Sequence, residues 1–554
     1  MGTVRNFTRA AINPENPLFS STKTLIESAF YGNNVEVVDT LENAYEKAVR
    51  APGTIVTDLP VKHAEQLGLP KEAKMLVNND GKIIGRTSAA RVIIGQPGVD
   101  QKYYDGLLRE AVYQATKQKF YQANVIVGLH ESFMVRSHLL VPEGFEVNLY
   151  SYLLNFQIET DEWQKKYAAS APLAENDLYL FANPEWTHPD FPHGLALFDP
   201  VHNVAAVLGL RYFGELKKGT LTLAWATAHR NNFIACHGGM KQYHLADRKF
   251  TMATFGLSGS GKSTITLTKH HGRYHVDVLH DDAFVIDRQT EATTALEPAY
   301  FDKVQDYPLV HPAVDYFLTL QNVGVTLDAE GKKVPVLEDI RNGNGRTVKS
   351  RFVTPNRVDH LKEKLDAVFW IMKDDNLPPV IKVADPVLAA VFGLTLATKR
   401  STAEHLIGPV DLDQLVIEPY ANPFRSYPLA EDYLNFRELF QKQKTSCYIL
   451  NTGAYNGKNI PPSITLAIIE KIIEEQAAFV PFDSIEHVTY LPIDGYEVDF
   501  ADQNYLHKVQ ARMQNRLNFI LEQQEAKEGY NALPKETAQT IENMLASLKK
   551  MESK

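Results

Sequence analysis

Apolar and polar positions alternate along the chain in a pattern typical of an α/β protein. Lys249–Phe255 combines aromatic and β-branched residues, which predicts a strand, and Thr264–Thr268 can begin the helix that follows. Val368–Met372 and Cys447–Asn451 are short continuous apolar runs and predict buried strands. Ile464–Gln476 repeats its apolar residues at helical spacing and predicts an amphipathic helix. Strands that alternate with helices after about residue 245 predict an α/β core.

The chain before about residue 230 mixes shorter elements. Leu107–Gln122 is predicted to be a helix because its apolar residues recur every three or four positions. Asn176–Phe181 and Leu195–Phe198 predict strands, and Asn203–Tyr212 is an apolar run of strand length or slightly more. The last fifty residues are rich in Gln, Glu, Lys and Leu, which predicts helices whose charges form a solvated face.

Composition narrows the class of protein. The chain has 554 residues, of which 44% are hydrophobic and 22% charged, with a net charge of −10. No basic stripe emerges, which argues against a nucleic-acid partner. No apolar run approaches about twenty residues, so no membrane span is expected. The two cysteines provide no disulfide framework and favour a reducing, cytoplasmic location. The oligomeric state is left open between a monomer and a small homo-oligomer.

The most informative motif follows the strand that ends at Phe255. It has the P-loop pattern Gly256-x-x-x-x-Gly261-Lys262-Ser263. Its glycines allow backbone N–H groups to converge on phosphate oxygens, Lys262 can reach the β and γ phosphates, and the Ser263 hydroxyl can ligate Mg²⁺. The predicted nucleotide-phosphate residues are Gly256, Leu257, Ser258, Gly259, Ser260, Gly261, Lys262, Ser263 and Thr264. The alternative is a flexible Gly/Ser loop, which the strand–loop–helix order disfavours.

Three further polar segments carry weaker signals. Asp281 and Asp282 follow a predicted strand, where P-loop enzymes place an acidic residue that holds Mg²⁺, although a solvated Asp-Asp turn would look the same. Lys217 and Lys218, taken alone, are more often solvated than functional. His237, taken alone, is more often a packed core histidine than a metal ligand.

The order and spacing of these segments resemble those of ATP-dependent phosphoenolpyruvate carboxykinases. Tyr212–Gly219 resembles the family's YGGEMKKG segment, and Phe255–Thr264 is nearly identical to its P-loop, FGLSGTGKTT. The resemblance assigns the metal lysine to Lys218, the metal histidine to His237 and the metal aspartate to Asp282. It implies a two-domain α/β fold, with a mixed-sheet, substrate-binding domain at 1–232. The domain at 233–554 would carry the P-loop, a lid and the C-terminal helices.

The resemblance also implies residues that bind substrate and nucleotide. Glu297–Lys303 is similar to the family's EGGCYAK segment, so Glu297 and Lys303 would lie near the phosphates. Asn459, Ile460 and Thr465 fall in the stretch that contacts adenine. Arg86 resembles an arginine that grips the substrate carboxylate through a bidentate fork. The remaining assignments are a second substrate arginine, Arg346, with Arg351 as its competitor, and Tyr212 as a substrate contact.

The implied reaction converts oxaloacetate and ATP to phosphoenolpyruvate, ADP and CO₂. Mn²⁺ held by Lys218, His237 and Asp282 would stabilise the enolate, while Mg²⁺ on ATP, with Lys262 and Ser263, would align the γ-phosphoryl group. Catalytic roles therefore fall on Lys218, His237, Lys262, Asp282 and Arg346.

The chain also departs from the family pattern. Thr87–Arg91 replaces SPKDK, and Asn459 stands where the family has an adenine-contacting arginine. Ala397–Thr402 and Glu418-Pro419 are expected to bound a lid that excludes water. Because of these departures, two alternatives stay open: a kinase of the same fold that acts on another carboxylate, and a non-catalytic nucleotide-binding protein.

Overall fold

A computed structural model describes residues 6–79, 87–171, 173, 175–257, 259–338, 344–399 and 414–552. Three sequence predictions lie outside these residues: Arg86 as a substrate ligand, Ser258 in the P-loop, and Arg400–Thr402 at the start of the lid.

The helices and strands of the described residues are numbered in chain order. The α-helices α1–α12 are Ser21–Ala29, Leu41–Arg50, Gln101–Ala115, Glu146–Asn155, Asp161–Ala169, Phe213–Arg230, Lys262–Leu267, Pro386–Leu394, Leu429–Gln443, Pro462–Ile473, Gln503–Glu525 and Lys535–Glu552. Strands β1–β16 are Val35–Val38, Thr54–Pro60, Lys74–Asn78, Arg91–Ile93, Phe120–His130, Phe133–Pro142, Gln157–Ile158, Leu178–Asn183, Leu195–Asp199, Val204–Leu208, Phe233–His237, Gly239–His244, Lys249–Phe255, His275–His280, Ala283–Asp287 and Thr293–Ala295. Strands β17–β31 are Tyr300–Lys303, Phe317–Gln321, Gly324–Leu327, Lys333–Val336, Arg346–Lys349, His360–Leu361, Ala367–Met372, Val380–Val383, Ala397–Lys399, Leu415–Ile417, Ser446–Asn451, Ala454–Tyr455, Lys458–Asn459, Val480–Pro481 and Val488–Tyr490.

The chain divides into two units. The first contains the chain up to Phe233 and then Thr294–Pro355. The second contains Ile234–Thr293 and the greater part of the chain from Asn356 onward. Neither unit is continuous in sequence, because the segment after Thr293 returns to the first unit.

Two sheets form the framework of the first unit. The larger has the order β1-β5-β6-β8-β10-β9-β4, and the smaller has the order β17-β21-β18-β3-β2. Helices α1 and α3 cover the larger sheet over an apolar core that includes Ile26, Leu108, Phe181 and Leu197, all fully or almost fully buried. The helix α6 lies against β8, β9 and β10.

An eight-stranded mixed sheet forms the core of the second unit, with the order β14-β12-β13-β23-β27-β24-β31-β30. Its central strands β13, β23 and β27 run parallel. Phe369 and Ile371 of β23 pack with Ile469 of α10 in one buried cluster. Ligands of open α/β sheets bind at the carboxyl ends of parallel strands, and here those ends lead into the P-loop, Lys373 and Asn451–Gly453.

Most sequence-based elements are confirmed to within about three residues at each end, and one predicted helix runs into the following strand. The structure has the predicted strand at Lys249–Phe255, and it has helices over most of the last fifty residues. The predicted helix Leu107–Gln122 instead begins at Gln101 and ends at Ala115. Its true start is set by Asp100, whose carboxylate accepts the N–H groups of the first turn. Its last predicted residues, Phe120–Gln122, open the strand β5.

Within the described residues, none of the helices combines the length and the apolar character that crossing a lipid bilayer would require.

Candidate active site

The P-loop closes tightly because three of its positions accept only glycine without strain. Gly259 and Gly261 have φ angles of 80° and 95°, in the left-handed region where a side chain is costly. A Cβ atom on Gly256 would lie 2.3 Å from the Ser260 hydroxyl oxygen. The Thr452 hydroxyl donates to the Ser260 carbonyl over 2.7 Å and ties the loop to the end of β27. In the described residues of the loop, the backbone therefore has a conformation that depends on glycine.

Asp282 is the central side chain of the site. It follows β14, and its backbone N–H bonds to His280 Nδ1 over 3.0 Å. Its Oδ1 atom lies 3.0 Å from Lys262 Nζ and 3.0 Å from His237 Nε2. One carboxylate oxygen thus joins the P-loop lysine to the predicted metal histidine.

His237 is held in place on its other side. Its Nδ1 atom bonds to the Ala421 carbonyl oxygen, and the Phe424 ring meets its imidazole edge to face at 5.3 Å. The hydrogen bond at Nδ1 fixes which nitrogen faces Asp282. Tyr420 and Ala421 have φ angles of 55° and 52°, which are costly for residues with a side chain.

The donor set suits a divalent ion. Two neighbouring ligands of an octahedral ion with bonds of about 2.1 Å lie about 3.0 Å apart, which is the separation of His237 Nε2 and Asp282 Oδ1. An imidazole nitrogen with a carboxylate oxygen favours Mn²⁺ over Mg²⁺. The two residues therefore fit two positions of one metal centre.

The segment predicted to contact adenine lies next to the P-loop. Gly453 accepts the Ile460 N–H over 2.9 Å, which closes the hairpin of β28 and β29. Ile460 and Thr465 are buried, whereas Asn459 is exposed. Thr452 connects this hairpin to the phosphate loop.

The two lysines of α6 differ sharply in environment. Lys217 is fully buried, and its Nζ lies 2.9 Å from Glu297, which is also fully buried. Asn155 donates to the other oxygen of Glu297 over 2.7 Å. Lys218 is half-buried, with its Nζ 5.7 Å from the centre of the Trp225 ring. Lys217 and Asn155 thus hold both carboxylate oxygens of Glu297 in the core of the first unit, and its nucleotide contact stays a prediction.

In the first unit, a predicted nucleotide-phosphate residue, Lys303, lies beside the predicted substrate arginine, Arg346, on the five-stranded sheet. Lys303 of β17 is directly opposite Arg346 of β21, which in turn is opposite Gln321 of β18. The Gln321 side chain accepts the Phe213 N–H over 3.1 Å, at the start of α6, where Tyr212 is the N-cap residue. Gln321 thus connects the start of α6, where Tyr212 lies, to the strand that carries Arg346.

Comparison with known proteins identifies the family to which the chain belongs. A model of the family described as phosphoenolpyruvate carboxykinase matches residues 78–491. The chain belongs to the phosphoenolpyruvate carboxykinase family. Phosphoenolpyruvate carboxykinase (ATP) from Aeropyrum pernix is 24% identical over 352 residues, which cover 60% of this chain and 70% of that protein. The family, the mixed α/β fold and the enzyme class predicted from the sequence are confirmed.

Within this carboxykinase, the two candidate arginines lie at opposite ends of β21. Arg346 begins the strand beside Lys303. Arg351 lies past its end and lines a separate cavity of about 390 Å³ with Gln66, Leu153 and Phe352. The geometry therefore favours Arg346 as the substrate arginine.

Sequence reasoning missed the side chains that hold the site residues in place. Arg91 donates to the Thr222 hydroxyl over 2.8 Å and lies 3.4 Å from the Glu215 carboxylate, so it anchors α6 on both sides of Lys218. Lys373 follows β23 at the edge of the sheet that carries the P-loop. Burial, with the nearby Lys399 charge, lowers the pKa of Lys373. No sequence motif predicts these contacts, because each of them joins segments that are far apart in the sequence.

Proposed function

We propose that the protein is an ATP-dependent phosphoenolpyruvate carboxykinase that converts oxaloacetate and ATP to phosphoenolpyruvate, ADP and CO₂. The observation that carries the proposal is the Asp282 carboxylate, which joins His237 to Lys262 of the P-loop. Phosphoryl transfer to a metal-stabilised enolate requires these groups together. Membership of the carboxykinase family supports the same conclusion.

His237 and Asp282 would hold Mn²⁺, with Lys218 as the third ligand that the resemblance assigns. The bound ion would supply positive charge to the enolate oxygen that forms when CO₂ leaves. The Ala421 carbonyl keeps His237 Nε2 directed at Asp282. Lys218 would have to be neutral to act as a ligand, since only the free amine has a lone pair.

ATP would bind at the P-loop of the second unit. Backbone N–H groups of Gly259, Gly261 and their neighbours would bind the phosphates, and Ser263 would ligate Mg²⁺. Lys262 is paired with Asp282 here, and it would turn to the β and γ phosphates when these arrive. Ile460 and Thr465 would face the base.

Oxaloacetate is a dianion and would be bound by Arg346 of the first unit, beside Lys303, which would contact the nucleotide phosphates. Lys303 and Arg346 are adjacent on paired strands, and Tyr212 lies at the start of the neighbouring α6. Arg346 can bind a carboxylate through two parallel hydrogen bonds. The described cysteines, Cys236 and Cys447, are buried and unbridged, which supports a cytoplasmic location.

The direct test measures phosphoenolpyruvate formation from oxaloacetate with Mn²⁺ and each nucleoside triphosphate. We expect product with ATP, and no product with any nucleotide would refute the proposal.

His237→Gln should raise the Mn²⁺ concentration for half-maximal rate at least tenfold, because a metal ligand is lost, while the KM for ATP changes little. His507→Gln, at an exposed histidine paired with Glu552, is the matched control. An unchanged Mn²⁺ requirement in His237→Gln would show that the ligand assignment is wrong.

One observation favours a second candidate, a kinase that acts on a different carboxylate. In the segment that replaces the family's SPKDK, Arg91 is committed to Glu215 and Thr222, and its guanidinium lies 4.4 Å from the Phe198 ring centre. It is thus turned to α6, which leaves one cation fewer for substrate. A thermal-shift screen of dicarboxylates separates the two candidates, because stabilisation by an acid other than oxaloacetate favours the second.

A further inference from the structure

Two histidines and an aspartate meet on the sheet of the second unit, at the end opposite to the P-loop and Asp282. In the antiparallel pair β12/β14, His244 lies directly opposite His275. Asp277 is two residues beyond His275 on β14, so its side chain is on the same face of the sheet. His244 Nε2 lies 2.7 Å from Asp277 Oδ2, and the two imidazole rings are 4.4 Å apart.

We propose that His244, His275 and Asp277 form a binding site for Zn²⁺, independent of the carboxykinase activity. Their ligand atoms all lie within 4.8 Å of one another. Ligand atoms around a tetrahedral Zn²⁺, with bonds of about 2.0–2.1 Å, lie about 3.3 Å apart. Rotation of the exposed His275 side chain can close this difference without any movement of the backbone.

The type of ligand selects the metal. Two imidazoles and one carboxylate match the three-residue sets that bind Zn²⁺ and leave a fourth position for water. Mn²⁺ binds nitrogen ligands more weakly than Zn²⁺ does, and Mg²⁺ prefers oxygen ligands with octahedral geometry. The ions that ATP-dependent catalysis requires would therefore compete poorly for these three residues.

The surrounding charges permit a cation here. Lys249 of β13 is directly opposite His244 and is the basic residue closest to the cluster in the sheet register. Its Nζ is bound by Glu363 over 2.6 Å, which offsets its charge. His244 and Asp277 retain 29% and 22% of their side-chain exposure, so an ion can reach them from solvent.

The position in the sheet gives the site a structural consequence. β12 begins at Gly239, two residues after His237, and β14 ends at His280, two residues before Asp282. An ion bound by His244 and His275 would link β12 and β14 at their opposite ends, about 17 Å along the strands from Gly239 and His280. Zinc would thus brace the strand pair next to His237 and Asp282, two of the three predicted Mn²⁺ ligands.

Equilibrium dialysis against buffered Zn²⁺, with bound metal measured by mass spectrometry, tests the proposal. To remove zinc bound at the predicted catalytic centre, the comparison uses His237→Gln as the background. We expect this variant to bind one zinc per chain, with at least tenfold lower affinity after His275→Ala or Asp277→Asn, because each loses a ligand. His507→Ala, at an exposed histidine next to a single carboxylate, should change nothing.

Equal zinc binding with and without His275→Ala would overturn the proposal, as would displacement of the zinc by a tenfold excess of Mn²⁺. Loss of the zinc in His237→Gln itself would place the ion at the catalytic centre instead. A zinc-dependent doubling of the mass in size-exclusion chromatography would replace the single-chain site with a bridge between two chains, and so would also overturn it. These outcomes are independent of whether the chain forms phosphoenolpyruvate.

Discussion

At the scale of single residues, the site depends on one carboxylate oxygen with two partners. Asp282 Oδ1 lies 3.0 Å from both Lys262 Nζ and His237 Nε2. The contact between Lys262 and Asp282 is a charge-assisted hydrogen bond, a kind about twice as strong as a neutral one. The arrangement keeps the lysine and the imidazole in position before any phosphate or metal binds.

Lys262→Ala should lower the rate of phosphoenolpyruvate formation by about 10³-fold, because the γ-phosphoryl group loses a positive charge that stabilises its transfer. The circular dichroism spectrum should stay that of the native chain. Lys269→Ala, just past the end of α7, is the matched control and should keep normal turnover. A loss below about tenfold in Lys262→Ala would exclude this lysine from phosphoryl transfer.

Substitution of the two adjacent lysines of α6 should have different effects, one on the stability of the chain and the other on its activity. Lys217→Met leaves the buried Glu297 without its cation, which should cost about 3–5 kcal/mol of the free energy of unfolding. Lys217→Met with Glu297→Gln should recover part of that loss. Lys218→Met should keep the stability and lose the Mn²⁺-dependent rate. Urea unfolding and steady-state kinetics on the same preparations check both, and the reverse assignment of the two effects would contradict this model of α6.

At this scale, the sequence predicted which side chains form the site better than it predicted the contacts and burial of each side chain. The P-loop spacing identified Lys262 directly, because the motif is local. The difference between Lys217 and Lys218 could not be derived from local pattern, since it depends on Glu297 and Asn155, which approach from distant segments. The Ala421 carbonyl that holds His237 was equally hidden, because any residue supplies a backbone carbonyl.

At the scale of elements, the short helix α7 is stabilised at its C-terminal end by a buried lysine. Lys241 of β12 donates to the Ile265 carbonyl over 2.6 Å and to the Thr268 carbonyl over 3.4 Å. A cation at this end also complements the helix dipole. Burial lowers the pKa of Lys241 to about 7. The helix that begins with Lys262 is thus anchored by a group that titrates near neutral pH.

The pH dependence of stability should reveal Lys241. Its pKa is lower in the folded chain than in the unfolded chain, so the folded state binds fewer protons above pH 7. The free energy of unfolding should therefore rise with pH between about 7 and 9, by at most about 1.4 kcal/mol per pH unit from this group. Burial raises the pKa of Cys236, and that thiol opposes the trend above about pH 9.

Urea unfolding at pH 7.0, 7.75 and 8.5 in the native chain and in Lys241→Met provides the measurement. The variant should show a smaller slope than the native chain and keep the contribution of Lys373, whose pKa burial also lowers, whereas Lys249→Met, on the neighbouring strand, should keep the full slope. Identical slopes in the native chain and in Lys241→Met would show that Lys241 does not titrate in this range.

Sequence pattern predicted the central strands of the second unit well and the helix α3 poorly. β13, β23 and β27 are almost entirely buried, so the apolar runs of β23 and β27, and the aromatic and β-branched residues of β13, are recognisable without their neighbours. Around α3, Phe120 continues the helical period although it belongs to β5. The side chain of Asp100 begins that helix several residues earlier than the apolar pattern does.

At the scale of the whole molecule, the match to the carboxykinase family ends before the last two long helices. The matched residues are 78–491, whereas α11 begins at Gln503 and α12 at Lys535. Arg516 of α11 is fully buried, donates to the Thr395 carbonyl and lies 3.3 Å from Asp374, two residues past the end of β23. The C-terminal helices are thus attached to the sheet near the edge that carries the P-loop.

Arg516→Met should lower the free energy of unfolding by about 1–3 kcal/mol, because buried Asp374 loses one of its two cationic partners and keeps only Arg512, 3.3 Å away. Arg516→Met with Asp374→Asn should recover part of the loss. Chemical denaturation of the second unit, followed by the fluorescence of its buried Trp370, provides the measurement. A change below about 0.5 kcal/mol in the single variant would show that this pair does not hold the helices.

The left-handed backbone at Tyr420 and Ala421 has a consequence for how such a chain can change over generations. Each of these conformations costs about 1–3 kcal/mol, so Ala421→Gly is an accessible route to greater heat resistance. The greater backbone freedom of glycine would also make the position of the residue-421 carbonyl, which orients the His237 imidazole, less fixed. Selection for thermostability alone would favour glycine at this position, and selection for turnover would retain alanine.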